Sequence, residues 1–447
     1  MQRLGLAILF FSVLSATATA QPGANLARIW DTEHLAQPLP PLLTHRDIEE
    51  GVARVVRETP DLFSQEVIGQ SVEGRALHHV WFGHGATHVL LWSQMHGDEP
   101  TATAALFDVF EYVKRHRQEA PVKRLLEALT VHVVPMLNPD GAERYQRRNA
   151  QEIDINRDAL RLQTPEGRAL KALRDRVQPV LGFNLHNENW RTSVGTPPKP
   201  ASISLLAVAH DVERSDDANR ILAKQTIAVI LDAIEPMIPG QIGKYDDSFE
   251  VRAFGDNIAR WGTGVVLIES GAAPTSEPDK ILVRVNFVAI LSALDAMASG
   301  AVKGADPARY DKLPYNESKL LHTVVTNATI IQGTSVAPYI GDVGIAARRV
   351  VTRDANGQRK LGLAARIDDI GDLRTLGALD TIDGTGLTVT PLFDEQARPQ
   401  GTVRLPDWST WKGATIRIDQ PGNLLLLKPL PGNSGEYQVV RVIRVAN

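Results

Sequence analysis

Hydrophobic positions along the first two thirds of the chain alternate between two rhythms. One has helical spacing: Ile48, Val52, Val55 and Val56 between Thr44 and Pro60, and Ala104, Leu106, Phe107, Phe110 and Val113 after Pro100. Arg168–Gln178 and Ala218–Ile234 read as helices in the same way. The other rhythm is a series of short, nearly unbroken apolar runs: Ala76–Gly83, His88–Met95, Leu129–Leu137, Pro179–His186 and Gly262–Ser270. Runs of that length between turn residues predict strands buried on both faces. Strands alternating with helices predict an α/β domain with a mostly parallel or mixed central sheet and helices on both faces, over residues 44–298 and closed by a helix near Lys280 to Ala298. Residues 21–43, with Pro38, Pro40 and Pro41, predict an extended lead-in.

After Ser299 both rhythms stop. Gly, Ala, Asp and Pro dominate residues 299–316, which predicts a domain linker. From 317 to 447 short β-like runs separated by turns predict a small all-β sandwich or barrel. The runs are HTVVTNATII, DVGIAARRVVT, GLTVTPLF, ATIRID, NLLLLKPL and YQVVRVIRV.

Composition narrows the chemistry. With 48 Lys+Arg against 52 Asp+Glu in 447 residues, no basic surplus exists to neutralise a phosphate backbone, so nucleic acid is not an expected partner. Leu4–Leu14 is apolar, follows Arg3 and precedes Ala18-Thr19-Ala20, which predicts a signal peptide over 1–20 and an exported protein, periplasmic or extracellular. No later apolar run in the sequence reaches the roughly 20 residues needed to cross a bilayer, so no transmembrane segment is expected after signal cleavage. The chain has no cysteine, which removes Cys nucleophiles, Cys-ligated zinc and iron-sulfur clusters. A metal must sit on His, Asp or Glu.

Three candidates follow strand-like runs, where an open α/β sheet places its ligands. In HGDE, the spacing of His96 and Glu99 lets an imidazole and a carboxylate turn toward one point, the alternative being a helix-capping Glu beside an incidental His. In FNLHNEN, His186 ends a strand and is either a core histidine or a third ligand, with Glu188 competing for that place. In VVLIESG, Glu269 ends a fully apolar run and is either exposed at the strand's mouth or, if buried, in need of a partner or a task such as general base. Between them lies NPDGAERYQRRNAQEIDINRD, which is either a solvated charged loop or a substrate-binding one in which Arg147 and Arg157 grip a carboxylate or an oxyanion. Arg252 is a further cation without an assigned role, and the histidines at 78, 79, 84 and 88 read as strand and turn residues.

Taken in order, HGDE, NPDG, RRN followed by DINRD, LH after a strand and ES after another resemble the zinc carboxypeptidase family, the carboxypeptidase A-like metallopeptidases. The resemblance runs over roughly Thr44 to Ala298. It implies one zinc per chain on His96, Glu99 and His186, and Glu269 as the base acting with a zinc-activated water. It also implies Arg147 at the oxyanion, with Arg148 as the alternative in a shifted register. Asn156 and Arg157 are then expected on the substrate's terminal carboxylate, and Tyr245, 24 residues before Glu269, stands near the family's tyrosine. The C-terminal segment resembles the small β-sandwich that flanks the barrel of amidohydrolases and is assigned no chemistry.

The function these readings imply is an exported metallocarboxypeptidase that hydrolyses the C-terminal peptide bond of peptides. The alternatives are a deacylase of N-acyl amino acids resembling aspartoacylase and succinylglutamate desuccinylase, a murein-peptide amidase, and a non-catalytic binding protein on the same fold. In each enzymatic case the substrate bears a free carboxylate. Oligomeric state is not legible in the sequence.

Overall fold

A computed structural model describes residues 22–33, 42–333, 336–394, 396–410, 413, 415–432 and 435–444. The segment 1–20, expected to be a signal peptide, lies outside them. Residues 22–33 form a helix, α1 (Pro22–Glu33), where an extended lead-in was expected. Its Leu26, Ile29 and Trp30 are buried in the main core, and the Trp30 indole donates to Asp108 at 2.7 Å. The prolines that suggested extension lie C-terminal to it.

The segment 42–299 alternates as its hydrophobic pattern predicts. α2 (His45–Glu58) opens on Thr44, whose hydroxyl and backbone form a reciprocal capping box with Asp47. The strands are β1 (Phe63–Gln70), β2 (Ala76–Phe82), β3 (Thr87–Ser93), β4 (Leu129–Val134), β5 (Leu181–Asn187), the two-residue β6 (Ser193–Val194) and β7 (Lys199–Pro200), β8 (Ile203–Ala207), β9 (Ile242–Lys244) and β10 (Gly264–Ser270). The helices among them are α3 (Thr101–His116), α4 (Ala120–Ala128), α5 (Pro139–Arg144), α6 (Pro165–Val177), α7 (Ala218–Ile234), α8 (Phe254–Arg260) and α9 (Pro278–Ser299). Eight strands form one mixed sheet in the order β1-β2-β4-β3-β5-β10-β8-β9. Its centre, β4-β3-β5-β10, is parallel, while β2 joins β4 and β8 joins β10 antiparallel. The apolar runs of the sequence are these central strands, and every residue of β4, β8 and β10 is buried.

α9 is long and apolar enough to cross a membrane by length and composition, contrary to the expectation that no later segment would be. It packs instead against α1, α3, α4 and α7, where a helix hydrophobic on nearly all sides is buried by its neighbours.

Residues 299–316 also differ from a loose linker. They hold a short 3-10 turn and α10 (Ala308–Asp311), with Tyr310 fully buried in the main core. The chain then forms β11 (Leu320–Ile330), β12 (Tyr339–Arg353), β13 (Arg359–Gly371), β14 (Gly377–Asp383), β15 (Thr388–Pro391), β16 (Thr402–Arg404), β17 (Leu424–Pro429) and β18 (Glu436–Ile443). They make one sheet in the order β13-β12-β11-β15-β17-β18-β16, with β14 paired to β11. Ile367 of β13 and Leu424 of β17 share a core although other strands separate them in that order, and the Ile367 amide bonds the Gln420 carbonyl, so the sheet folds around its own apolar face. β13 escaped the sequence reading because its basic and acidic residues interrupt the apolar pattern. The ATIRID run forms no strand among its described residues, although Ile416 is buried in this core.

Candidate active site and metal centre

β3, β5 and β10 are parallel and end on the same edge of the sheet, which brings the three sequence candidates together. His96 lies just beyond β3, His186 is the penultimate residue of β5, and Glu269 is the penultimate residue of β10, paired in register with His186. The ligand atoms of His96, Glu99 and His186 all lie within 4.8 Å of one another, and all three residues are buried. The Nδ1 atoms of both histidines face the carboxylate, at 2.8 Å from Glu99 Oε1 and 2.7 Å from Oε2, and stand 3.1 Å from each other. Burial pushes the Glu99 carboxyl up, but the two imidazoles outweigh it and hold it well below the usual carboxylate range. Two imidazole nitrogens and a carboxylate converging on one buried point are the borderline donor set that zinc prefers. Among the described residues this is the only such set of three.

The motifs around the ligands divide into donors and scaffold. Asp154, the first residue of DINRD, accepts at 3.1 Å from His96 Nε2 and at 3.0 Å from Arg147 Nε, so it orients an imidazole as carboxylates behind metal-bound histidines do. Its own pKa is held far below the ordinary value: burial raises it, and His96 and Arg147 more than reverse that. A signal for this existed in the charged run, but no role was read from it. In NPDG, Asn138 donates to the carbonyls of Met95 and Arg147 and accepts from the Gly141 amide, tying the loop of His96 to that of Arg147. Asp140 accepts from Ser71, Arg75 and the Glu73 amide, and Asp158 caps α6 through Thr164. These two acids are structural. Gly97 sits so close to Gly141 that a Cβ would fall 2.0 Å from its carbonyl carbon, which is why HGDE carries glycine there.

Glu269 is buried and its Oε2 has no hydrogen-bond partner among the described residues. Burial and the nearby Glu99 and Glu188 carboxylates raise its pKa well above the ordinary value. A cation held by the adjacent ligands would oppose that repulsion. Glu188 does not join the ligand cluster. It accepts at 2.9 Å from both the Ser204 hydroxyl and the Asn316 amide, and burial pushes it up to about 8.

His96, Glu99, Glu188 and Glu269 face a cavity of about 710 Å³, also lined by Arg147, Asn156, Arg157 and Tyr245. Arg147 lines the cavity and reaches within 3.6 Å of Glu99, whereas Arg148 bonds the Glu152 carbonyl and does not line it. Asn156 lines the cavity and accepts from the Phe254 amide with its side-chain oxygen. The Arg157 guanidinium lies 3.5 Å from Glu250. Tyr245 is half-buried, and the Glu269 charge is the first cause of its raised pKa. Arg252 is exposed, pairs with Glu250 and stays outside the cavity. Sequence reasoning missed Asp256, a cavity-lining carboxyl that burial raises to about 7. Its position on α8 is a tertiary fact with no motif to announce it.

Of the histidines at 78, 79, 84 and 88, His79 and His88 belong to a line that His132 completes. Glu66, His79, His132 and His88 are joined in that order by contacts of 2.9, 3.0 and 3.0 Å across β1, β2, β4 and β3.

An α/β sheet that ends in a His-Glu-His cluster beside a buried glutamate and an arginine-lined cavity defines a candidate metallohydrolase. Comparison with known proteins specifies the class further: residues 48–194 match the family model for zinc carboxypeptidase. The segment holding His96, Glu99, Arg147 and His186 therefore bears out the resemblance its motifs carry, and that family implies zinc. Curated relatives include a probable carboxypeptidase 2 of Arthroderma benhamiae, 27% identical over 32% of this chain and 29% of the relative's length. Carboxypeptidase D of Mus musculus is 25% identical over 40% of this chain and 16% of its own length. The chain thus spans under a third of these relatives. Similar solved structures include a metallo-carboxypeptidase from Burkholderia cenocepacia, with TM-score 0.43 and 18% identity over 55% of this chain and 68% of the other. Carboxypeptidase A from Helicoverpa armigera gives TM-score 0.46 and 14% identity, over 63% and 80%.

Proposed function

We propose that this chain is an exported, zinc-dependent metallocarboxypeptidase that removes the C-terminal residue of peptides. The observation that carries the reading is the convergence of His96, Glu99 and His186 beside Glu269, at the wall of a cavity lined by Arg147, Asn156 and Arg157. His96, Glu99 and His186 would hold one zinc, which supplies Lewis acidity to a water and to the scissile carbonyl. Glu269 takes a proton from the attacking water and returns it to the leaving amine, a role suited to a buried carboxylate with a free oxygen. Arg147 stabilises negative charge on the carbonyl oxygen, and Asp154 fixes its guanidinium in place. Asn156 and Arg157 hold the terminal carboxylate, and Tyr245 closes that side of the cavity. Export rests on the Leu4–Leu14 run and the Ala-x-Ala that follows it.

The test is mass spectrometry of mixed peptides, N-acyl amino acids and murein stem peptides after incubation with the protein, with and without a zinc chelator. Chelator-sensitive loss of single C-terminal residues is expected. Cleavage confined to N-acyl amino acids would replace this reading with the deacylase.

A further inference from the structure

Next to the catalytic cavity lies a second cleft of about 380 Å³. Glu99, Arg147, Asn187, Glu188 and Asn189 line both spaces, so the two meet at the ligand cluster. Asn156 and Arg157 line only the first. A peptide whose carboxylate rests on those two residues therefore passes Glu99 and Arg147 and continues into the second cleft on the amino side of the scissile bond.

The outer wall of this cleft comes partly from the β unit. Ala347, Arg348 and Arg349 of β12 line it, together with Tyr145 and Trp190. Arg349 makes three contacts across the boundary. It ion-pairs with Asp279 at the start of α9, its guanidinium carbon lies 4.8 Å from the centre of the Trp190 ring, and it hydrogen-bonds the Tyr145 side chain. Only 12% of its side chain is exposed. A planar guanidinium can stack and donate at once, so one side chain holds both loops. Those loops are functional ones: Tyr145, in a left-handed conformation with φ of 52°, precedes Arg147 by two residues, and Trp190 follows His186 by four. An ion pair between Arg191 and Asp368 fastens the same boundary.

We propose that Arg349, carried by the β unit, is a positioning residue that holds the outer wall of this cleft against substrate residues on the amino side of the scissile bond. The inference rests on the carboxypeptidase reading.

Steady-state kinetics of the zinc-loaded full chain test it, using N-acetyl amino acid, blocked dipeptide and blocked tripeptide substrates that share one C-terminal residue. In the wild type, kcat/KM should rise with length. In Arg349→Met, which keeps the side chain's length without its charge, KM for the tripeptide should rise about tenfold with kcat within about twofold, while KM for the shortest substrate cleaved rises several-fold less. Trp190→Leu, on the other side of the same contact, should reproduce the split and serves if Arg349→Met does not fold. Equal losses at every length, or no loss on the tripeptide, would overturn the inference and leave the carboxypeptidase reading standing. A wild type that cleaves no member of the series would overturn both.

Discussion

Glu269 and His186 are register partners on adjacent parallel strands, so the candidate base and a candidate zinc ligand are spaced by the sheet's own hydrogen bonds. A ladder repeats at about 4.8 Å between strands and tolerates little drift. The separation of the two side chains is thus set by the backbone and not by a mobile loop.

Glu269→Gln removes the base and keeps the shape. The variant should still bind one zinc per chain by elemental analysis, while kcat falls by about 10² to 10⁴. Retention of full turnover would remove Glu269 from the mechanism.

Asp154→Asn tests the group behind His96 rather than the ligands themselves. It should weaken zinc binding about 10- to 100-fold in a chelator competition, because the imidazole loses its carboxylate partner. His186→Ala, which deletes a ligand, should lose zinc more completely.

Gly97→Ala should destabilise the fold as well as the site. The added methyl meets backbone of Gly141, which cannot move without shifting the Asn138 hydrogen bonds. A loss of about 1–3 kcal/mol in chemical denaturation is expected, together with weaker zinc binding.

The histidine line makes stability depend on acid. His132 is pushed down to about 3, by burial first and then by His79 and His88, and burial lowers His79 as well. The unfolded chain, with imidazoles near 6.5, then binds more protons than the folded one between those values. Stability from these groups is complete above about pH 6.5 and is lost as the pH falls toward 3. Melting temperatures of the wild type and His132→Gln, compared from pH 7 to 4, should diverge at neutral pH and converge in acid. Parallel curves would show that His132 carries none of the slope.

What the sequence by itself determined is the periodic part of the molecule and the candidates for its reactive groups. The apolar runs that became β3, β4, β5 and β10 had no other way to be buried, and ordered motifs named His96, Glu99, His186 and Glu269 because ligand chemistry allows so few residue types. Local pattern failed where burial comes from elsewhere in the chain. α1 is a helix because the core has a place for Trp30, and β13 is a strand because β12 pairs with it along its length. Tertiary structure alone decided that Arg147 enters the site and Arg148 leaves it, that Asp140 and Asp158 hold loops while Asp154 serves His96, and that Asp256 lines the cavity. It also set Arg349 of the β unit against Trp190 and Tyr145. Such choices depend on distances between segments far apart in the chain, and residue order records the chemistry available at each position but not which side chains the fold will bring within reach of one another.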